Sequence, residues 1–141
     1  MNPESFDPAT EPYVSLATFR NNGNAVLTPV WIAGRGSCYY VFSAAEAGKV
    51  KRIRANGRAR LAACSFRGNV QSDWLEARAR ILDEPENIAR AYRALYEKYG
   101  WKMRVTDWLS KLSGRYEKRA ILEIQLADTR TQRPESKLRP A

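Results

Sequence analysis

Polar and apolar residues alternate from Tyr13, and the Tyr13–Phe19 segment runs into Asn21-Asn22-Gly23-Asn24, where Asn and Gly tolerate positive φ. Together these predict a strand and a hairpin turn. Ala25–Ala33 continues as a second strand around Val26, Val30 and Ile32, and Gly34-Arg35-Gly36-Ser37 turns it into a third, Cys38–Ser43, rich in Tyr and Val. Pro29 cannot donate to a ladder, so its strand is expected at a sheet edge, bulged, or open towards a ligand. Glu46–Arg54 predicts a short helix with Val50 and Ile53 on one face, ended by Asn56-Gly57. Leu61–Phe66 is a compact apolar strand followed by an Arg67-Gly68-Asn69 turn. Along Trp74–Leu82, Trp74, Glu76, Arg78 and Arg80 alternate with Leu75, Ala77, Ala79 and Ile81, so one face is wet. Ile88, Tyr92, Leu95, Tyr96 and Tyr99 form one stripe of a helix over Glu86–Tyr99, with Pro85 before it and Gly100 after it. Thr106 or Asp107 can cap a shorter helix carrying Trp108, Leu109 and Leu112 and closed by Gly114, and Lys118–Leu126 alternates as a last strand around Ala120, Leu122 and Ile124.

Six strands, hairpin-linked at the start and interrupted by one long helix, predict a mainly β chain with helices (α+β), an antiparallel barrel with helices packed outside. No internal repeat, GxGxxG loop or P-loop is present. With 141 residues, 44% hydrophobic and 28% charged, the chain fits one domain that builds a core without metal or disulfide staples. Residues 1–12 read as an N-terminal extension, 13–127 as the barrel, and 128–141 as a polar tail containing Pro134 and Pro140. No apolar run approaches the roughly 18 residues of a membrane span, and the first residues are polar and acidic. Neither a membrane nor a secretory signal is expected, and the location read from this is cytoplasmic. Cys38 and Cys64 lack CxxC spacing, which favours reduced thiols over a zinc site, with Cys64 an inert core residue.

Charge changes the picture. The net charge is +9, and Lys49, Lys51, Arg52, Arg54, Arg58 and Arg60 follow one another with no acid among them. Lys offers a mobile point charge, Arg a bidentate fork and a helix start free N–H groups, so this run reads as an anion clamp or, in the blander reading, a solvated helix face. Ser43, just before it, can cap that helix or bind the same anion. Thr28-Pro29-Val30-Trp31 can present a flat wall to a planar ring, or hold a core Trp beside an edge Pro. Trp74, Trp101, Trp108 and Tyr116 suit core or dimer contacts better than base stacking. The pairs Asp73/Glu76 and Asp83/Glu84 carry no feature that suggests general acid chemistry. Histidine is absent, which removes imidazole bases, His-dependent nucleophiles and His-ligated metals, and no metal site is expected.

The order of these features resembles the pyridoxamine 5'-phosphate oxidase-like split-barrel superfamily, in particular its coenzyme F420-dependent oxidoreductase branch. A first strand and Asn-Gly hairpin lead to Thr28-Pro29-Val30-Trp31 and a Tyr-rich strand ending in Ser43. Gly48-Lys49-Val50-Lys51-Arg52-Ile53-Arg54, Leu61-Ala62-Ala63-Cys64 and Arg67-Gly68 follow. The resemblance covers about Tyr13 to Leu126 and implies a split β-barrel homodimer of the FMN-binding type, with the cofactor between subunits. The ring would lie against Thr28, Pro29, Val30 and Trp31. Ser43 and Lys49 would hold the phosphate, with Lys51, Arg52 and Arg54 near it or near a longer anionic tail. Two positions depart from the pattern: Ser43 stands where Thr is common, and Asn56-Gly57-Arg58 where a Pro often follows. Hydride chemistry on such a ring belongs to the cofactor, so no catalytic side chain is assigned. Coenzyme F420 adds a glutamate tail to its phosphate whereas FMN ends there, so the excess cation favours F420 over FMN, acting on a small or planar organic substrate. An alternative of another class is a basic barrel whose tryptophans stack single-stranded nucleic acid, with steep salt dependence as its mark.

Overall fold

The computed structural model describes residues 6–112 and 119–127. Seven strands form one antiparallel sheet: β1 (Val14–Phe19), β2 (Ala25–Val30), β3 (Ala33–Arg35), β4 (Cys38–Ala44), β5 (Arg58–Ala63), β6 (Leu75–Ile81) and β7 (Arg119–Leu126). Their order is β2-β1-β5-β6-β7-β4-β3, and the sheet curls into a half-barrel. Three helices, α1 (Gly48–Asn56), α2 (Pro85–Tyr99) and α3 (Trp101–Leu112), complete the α+β split-barrel fold. The concave side holds the main core, in which Val14, Leu16, Leu61, Leu122 and Ile124 meet Val50 and Ile53 of α1.

The hairpin forms where its Asn-Gly signal lies. Gly23 adopts φ +92°, the Asn22 Oδ1 accepts from the Asn24 N–H at 2.9 Å, and β1 pairs with β2 from Phe19↔Ala25 to Val14↔Val30. β2 is one edge of the sheet, which accommodates Pro29. The expected single strand Ala25–Ala33 is instead two, so the sheet has seven strands rather than six. At Trp31–Ile32 the chain crosses from one sheet edge to the other, and α2 replaces the ladder there. The Ile32 N–H donates to the Tyr99 hydroxyl at 3.0 Å, and the Ile32 carbonyl accepts from Lys98 Nζ at 2.7 Å. Gly34, at φ +142°, then lets β3 fold back so tightly on β4 that a Cβ would fall on the Cys38 carbonyl oxygen.

Helix α1 begins at Gly48, after Ala47 at the N-cap, and ends where expected: Gly57 is left-handed at φ +73° and its N–H closes on Ile53 O. That turn feeds directly into β5, which starts at Arg58 and ends at Ala63, not over Leu61–Phe66. Arg58 and Arg60 take the outward positions of this strand and Ala59 and Leu61 the core positions. Helix α2 matches its stripe. Helix α3 starts at Trp101, immediately after Gly100, so neither Thr106 nor Asp107 is its cap. Thr106 Oγ1 donates to the Lys102 carbonyl within the helix, and Asp107 pairs with Arg119 of β7 at 2.7 Å. Gly114, Tyr116, Lys118 and the expected tail 128–141 lie outside the described residues.

Candidate anion-binding site

An isolated run of like charges repels itself, so its geometry decides what it can bind. Val50 and Ile53 anchor α1 into the barrel, and this divides the basic residues. Lys49 and Arg52 lie half-buried on one side, while Lys51 and Arg54 are exposed. Arg58 and Arg60 leave the cluster altogether. The Arg58 guanidinium sits 4.3 Å from the Phe19 ring centroid, and Arg60 pairs with Glu76 at 2.6 Å.

Around the start of α1 no acid occupies the first turn and no side chain caps the helix; the Val50 and Lys51 N–H groups already donate to the Ala47 carbonyl, which leaves those of Gly48 and Lys49 as the uncapped donors. Arg52 folds back over this end. Its Nε donates to Thr18 Oγ1 of β1 at 2.7 Å, and a Cβ on Gly48 would stand 2.8 Å from its Nη1. Burial pulls the Lys49 amine below the ordinary lysine range, and the Arg52 charge adds to the effect. Arg52 is lowered likewise, by burial and then by Arg20. Cations depressed by one another and by burial gain most from an anion, which restores the missing countercharge. Free helix N–H groups, an amine and a guanidinium fork form a donor set that fits a phosphate.

Gly48→Ala separates this geometry from stability. The added methyl displaces the Arg52 guanidinium while improving helix propensity, so we expect weaker anion binding with an unchanged or slightly raised melting temperature. Isothermal titration with inorganic pyrophosphate alongside a thermal melt reads both.

The other expected site residues are distributed more widely. Ser43 is buried at the end of β4 and its hydroxyl donates to the Ala44 carbonyl at 3.1 Å; Ala47, not Ser43, is the N-cap of α1. In β2, Thr28 pairs with Leu16 and Val30 with Val14, placing both on the core-facing side, whereas Pro29 is exposed on the other. Trp31 stacks on Tyr99 at 4.5 Å and 8°, with Phe42 edge-on at 6.2 Å. Its ring therefore joins a small second core beneath α2 with Leu95 and Met103. Gly48 and Arg20 were not anticipated: a glycine at a helix start and a cation between β1 and the hairpin turn acquire meaning only once Arg52 folds over the first and lies within reach of the second's charge. A cleft of about 730 Å³ between β3–β4 and α2 was also not anticipated, and none of the expected residues lines it. Arg35, Arg90, Arg93 and Lys98 give it a positive wall against the single carboxylate of Glu97.

The remaining expectations can also be located. Cys38 and Cys64 are free thiols, and burial pushes the Cys64 thiol up, as suits an unreactive core position. No group of three or more potential metal-ligating His, Cys, Asp or Glu residues occurs among the described residues. No helix there is long and apolar enough to cross a membrane.

Residues 6–133 match the family model described as Pyridoxamine 5'-phosphate oxidase. No curated protein matches the sequence. Among solved structures, the haem storage protein HutZ of Vibrio cholerae is similar with a TM-score of 0.62 at 12% identity, over 86% of this chain and 85% of its own. An F420 reductase gives a TM-score of 0.54 at 18% identity, over 85% and 90%. An FAD-binding protein of Mesorhizobium loti gives 0.58 at 16% identity, over 85% and 82%. At these identities the likeness is one of fold.

Proposed function

As the chain belongs to the pyridoxamine 5'-phosphate oxidase family, we propose that it is an oxidoreductase binding coenzyme F420, with FMN as the alternative cofactor. The carrying observation is the acid-free, uncapped start of α1, where Lys49 and Arg52 converge without a countercharge. In this reading Lys49, Arg52 and the first N–H groups of α1 hold the cofactor phosphate, with the Ser43 hydroxyl at the end of β4 as a further donor. Lys51 and Arg54, exposed on the same helix, extend the cationic surface beyond what one phosphate needs, which favours a cofactor with an anionic tail. When bound, the ring supplies hydride transfer; the chain binds it, orients it and excludes water. The exposed edge of β2 at Thr28-Pro29-Val30 offers backbone groups to that ring, and Trp31, held by Tyr99, braces the strand. The substrate is a small or planar organic molecule.

Among the described residues, those of α1 and the β2 edge do not line the cleft of about 730 Å³, and a second copy is the proposed other wall of the cofactor groove. Sedimentation at micromolar concentration with cofactor present should show a dimer, and a monomer would count against this arrangement.

Fluorescence titration with F420 and with FMN in the same buffer, at low and high salt, tests the reading. Lys49→Ala should lower F420 affinity about 10- to 100-fold, the range expected for one charge-assisted contact, while leaving the melt unchanged. Equal affinity in a folded Lys49→Ala protein removes the phosphate assignment. Tighter binding of FMN selects the alternative. Failure of both, with salt-sensitive binding of an oligonucleotide, would move the chain to the nucleic-acid class.

A further inference from the structure

Helix α3 is inside out. Around its axis Met103 and Asp107 are buried and Ser110 half-buried, so two polar residues face the protein, where Arg119 receives them: Nη1 to Asp107 Oδ1 at 2.7 Å and Nη2 to Ser110 Oγ at 2.9 Å. The apolar residues point the other way. Trp101 is 69% exposed, Trp108 62% and Leu112 68%, with Val105 and Leu109 exposed beside them. At 100° per residue these five fall within an arc of about 100°, the width of a burying stripe. Cations stand on both margins of the arc, Lys102 on one and Arg104 and Lys111 on the other. The only acid of the helix is the buried Asp107.

We propose that α3 is a peripheral membrane-docking helix that lays Trp101, Val105, Trp108, Leu109 and Leu112 into the headgroup–acyl boundary of an anionic bilayer, with Lys102 and Arg104 on lipid phosphates. Charge complementarity selects this occupant. A two-fold contact with a second copy would bring Lys102 and Arg104 of two identical helices together, and neither helix carries an exposed acid. An anionic lipid surface answers Lys102 and Arg104 and takes the apolar arc as well. Trp supplies an apolar body with an N–H at its rim, which suits the interface. The net charge of +9 draws the whole chain to the same surface. The helix lies on the membrane and does not cross it, in keeping with the lack of any spanning helix among the described residues.

The test mixes the full chain with vesicles of phosphatidylglycerol and phosphatidylcholine in equal parts, and with pure phosphatidylcholine vesicles, and reads co-sedimentation and tryptophan emission. The expected result is binding to the anionic vesicles, a blue-shifted emission, and weak binding to the neutral ones. The double variant Trp108→Glu/Leu112→Glu changes exposed side chains only and should lower anionic-vesicle affinity more than about tenfold. Lys102→Glu/Arg104→Glu should lower it and weaken its salt dependence. Lys51→Glu/Arg54→Glu on α1 should retain the blue shift. No binding of the unmodified chain overturns the proposal, even if the variants fail to fold. So does binding that survives Trp108→Glu/Leu112→Glu but disappears in the α1 variant, which would be charge attraction alone. A sedimentation dimer dissociated by Trp108→Glu/Leu112→Glu, without vesicle binding, also overturns it and assigns the face to a second copy.

Discussion

Asp107→Ala is expected to be among the most destabilising single substitutions in this chain, lowering the unfolding free energy by about 3–5 kcal/mol. Asp107 and Arg119 retain only 8% and 6% side-chain exposure, and Arg119 also reaches Ser110 and lies 4.5 Å over the Phe42 ring. Removing the carboxylate leaves a guanidinium out of water without its charged partner. The cost comes from that stranded charge more than from the loss of an attraction, so replacing both partners should behave differently. Asp107→Leu/Arg119→Met should recover most of the stability while allowing α3 to roll. Urea denaturation followed by circular dichroism measures both, and a double variant no more stable than Asp107→Ala would contradict this account. The pair is a polar anchor that keeps the tryptophan side of α3 turned outward.

Lys98→Met should cost about 2–4 kcal/mol, because one ammonium holds three backbone carbonyls, of which that of Ile32 has the Tyr99 hydroxyl as a second donor at 3.2 Å. Lys98 Nζ reaches Pro8 O at 3.0 Å, Glu11 O at 2.6 Å and Ile32 O at 2.7 Å. The variant should release the segment before β1 and loosen the Trp31–Ile32 crossing, seen as faster amide exchange there than in β7. Burial draws the Lys98 amine down to about 8, against an ordinary 10.5. Between those values the unfolded chain keeps a proton that the folded chain has released, so stability rises with pH. Tyr39 and Tyr99 act in the opposite sense. Burial is the first cause that pushes each phenol up to about 12, so above its ordinary 10.0 the unfolded chain loses protons that the folded chain keeps. Stability then falls with pH, the raised Cys64 thiol acting in the same sense from its ordinary 9.0, and the curve is expected to turn over at about pH 9–10. The rising limb should flatten in Lys98→Met while the falling limb persists.

The legible parts of the fold were those whose causes are local. The Asn22-Gly23 hairpin, the αL stop at Gly57 and the stripe from Ile88 to Tyr99 each lie within one element and formed as the pattern implied. Trp31–Ile32 reads as strand because its residues favour strands, yet its hydrogen bonds go to Lys98 and Tyr99, more than sixty positions away. The start of α3 was hidden for a similar reason. Asp107 has the sequence signature of a cap, and only Arg119 across the fold explains its use in a helix interior. In β5, Arg58 and Arg60 continue the basic run in sequence, but the strand's alternation turns them out to Phe19 and Glu76. The charge of the candidate site was therefore legible, and its division among elements was not. Trp31 carried two readings, a ring wall and a core residue, and its stacking on Tyr99 gives weight to the second.

Pro29 bears on how copies of this chain can meet. An edge strand is a template for strand addition, and repeated addition makes open-ended fibres. β2 is such an edge, six residues long, and Pro29 removes one of its few outward N–H donors opposite Ser15. A strand from another molecule approaching there would find the ladder cut short at Pro29, next to the last residue of β2. The short opposite edge, β3, has three residues and offers little purchase. Both open ends of the sheet thus resist continuation, and self-association is steered from sheet extension towards closed contacts between faces, which stop at a finite number of copies.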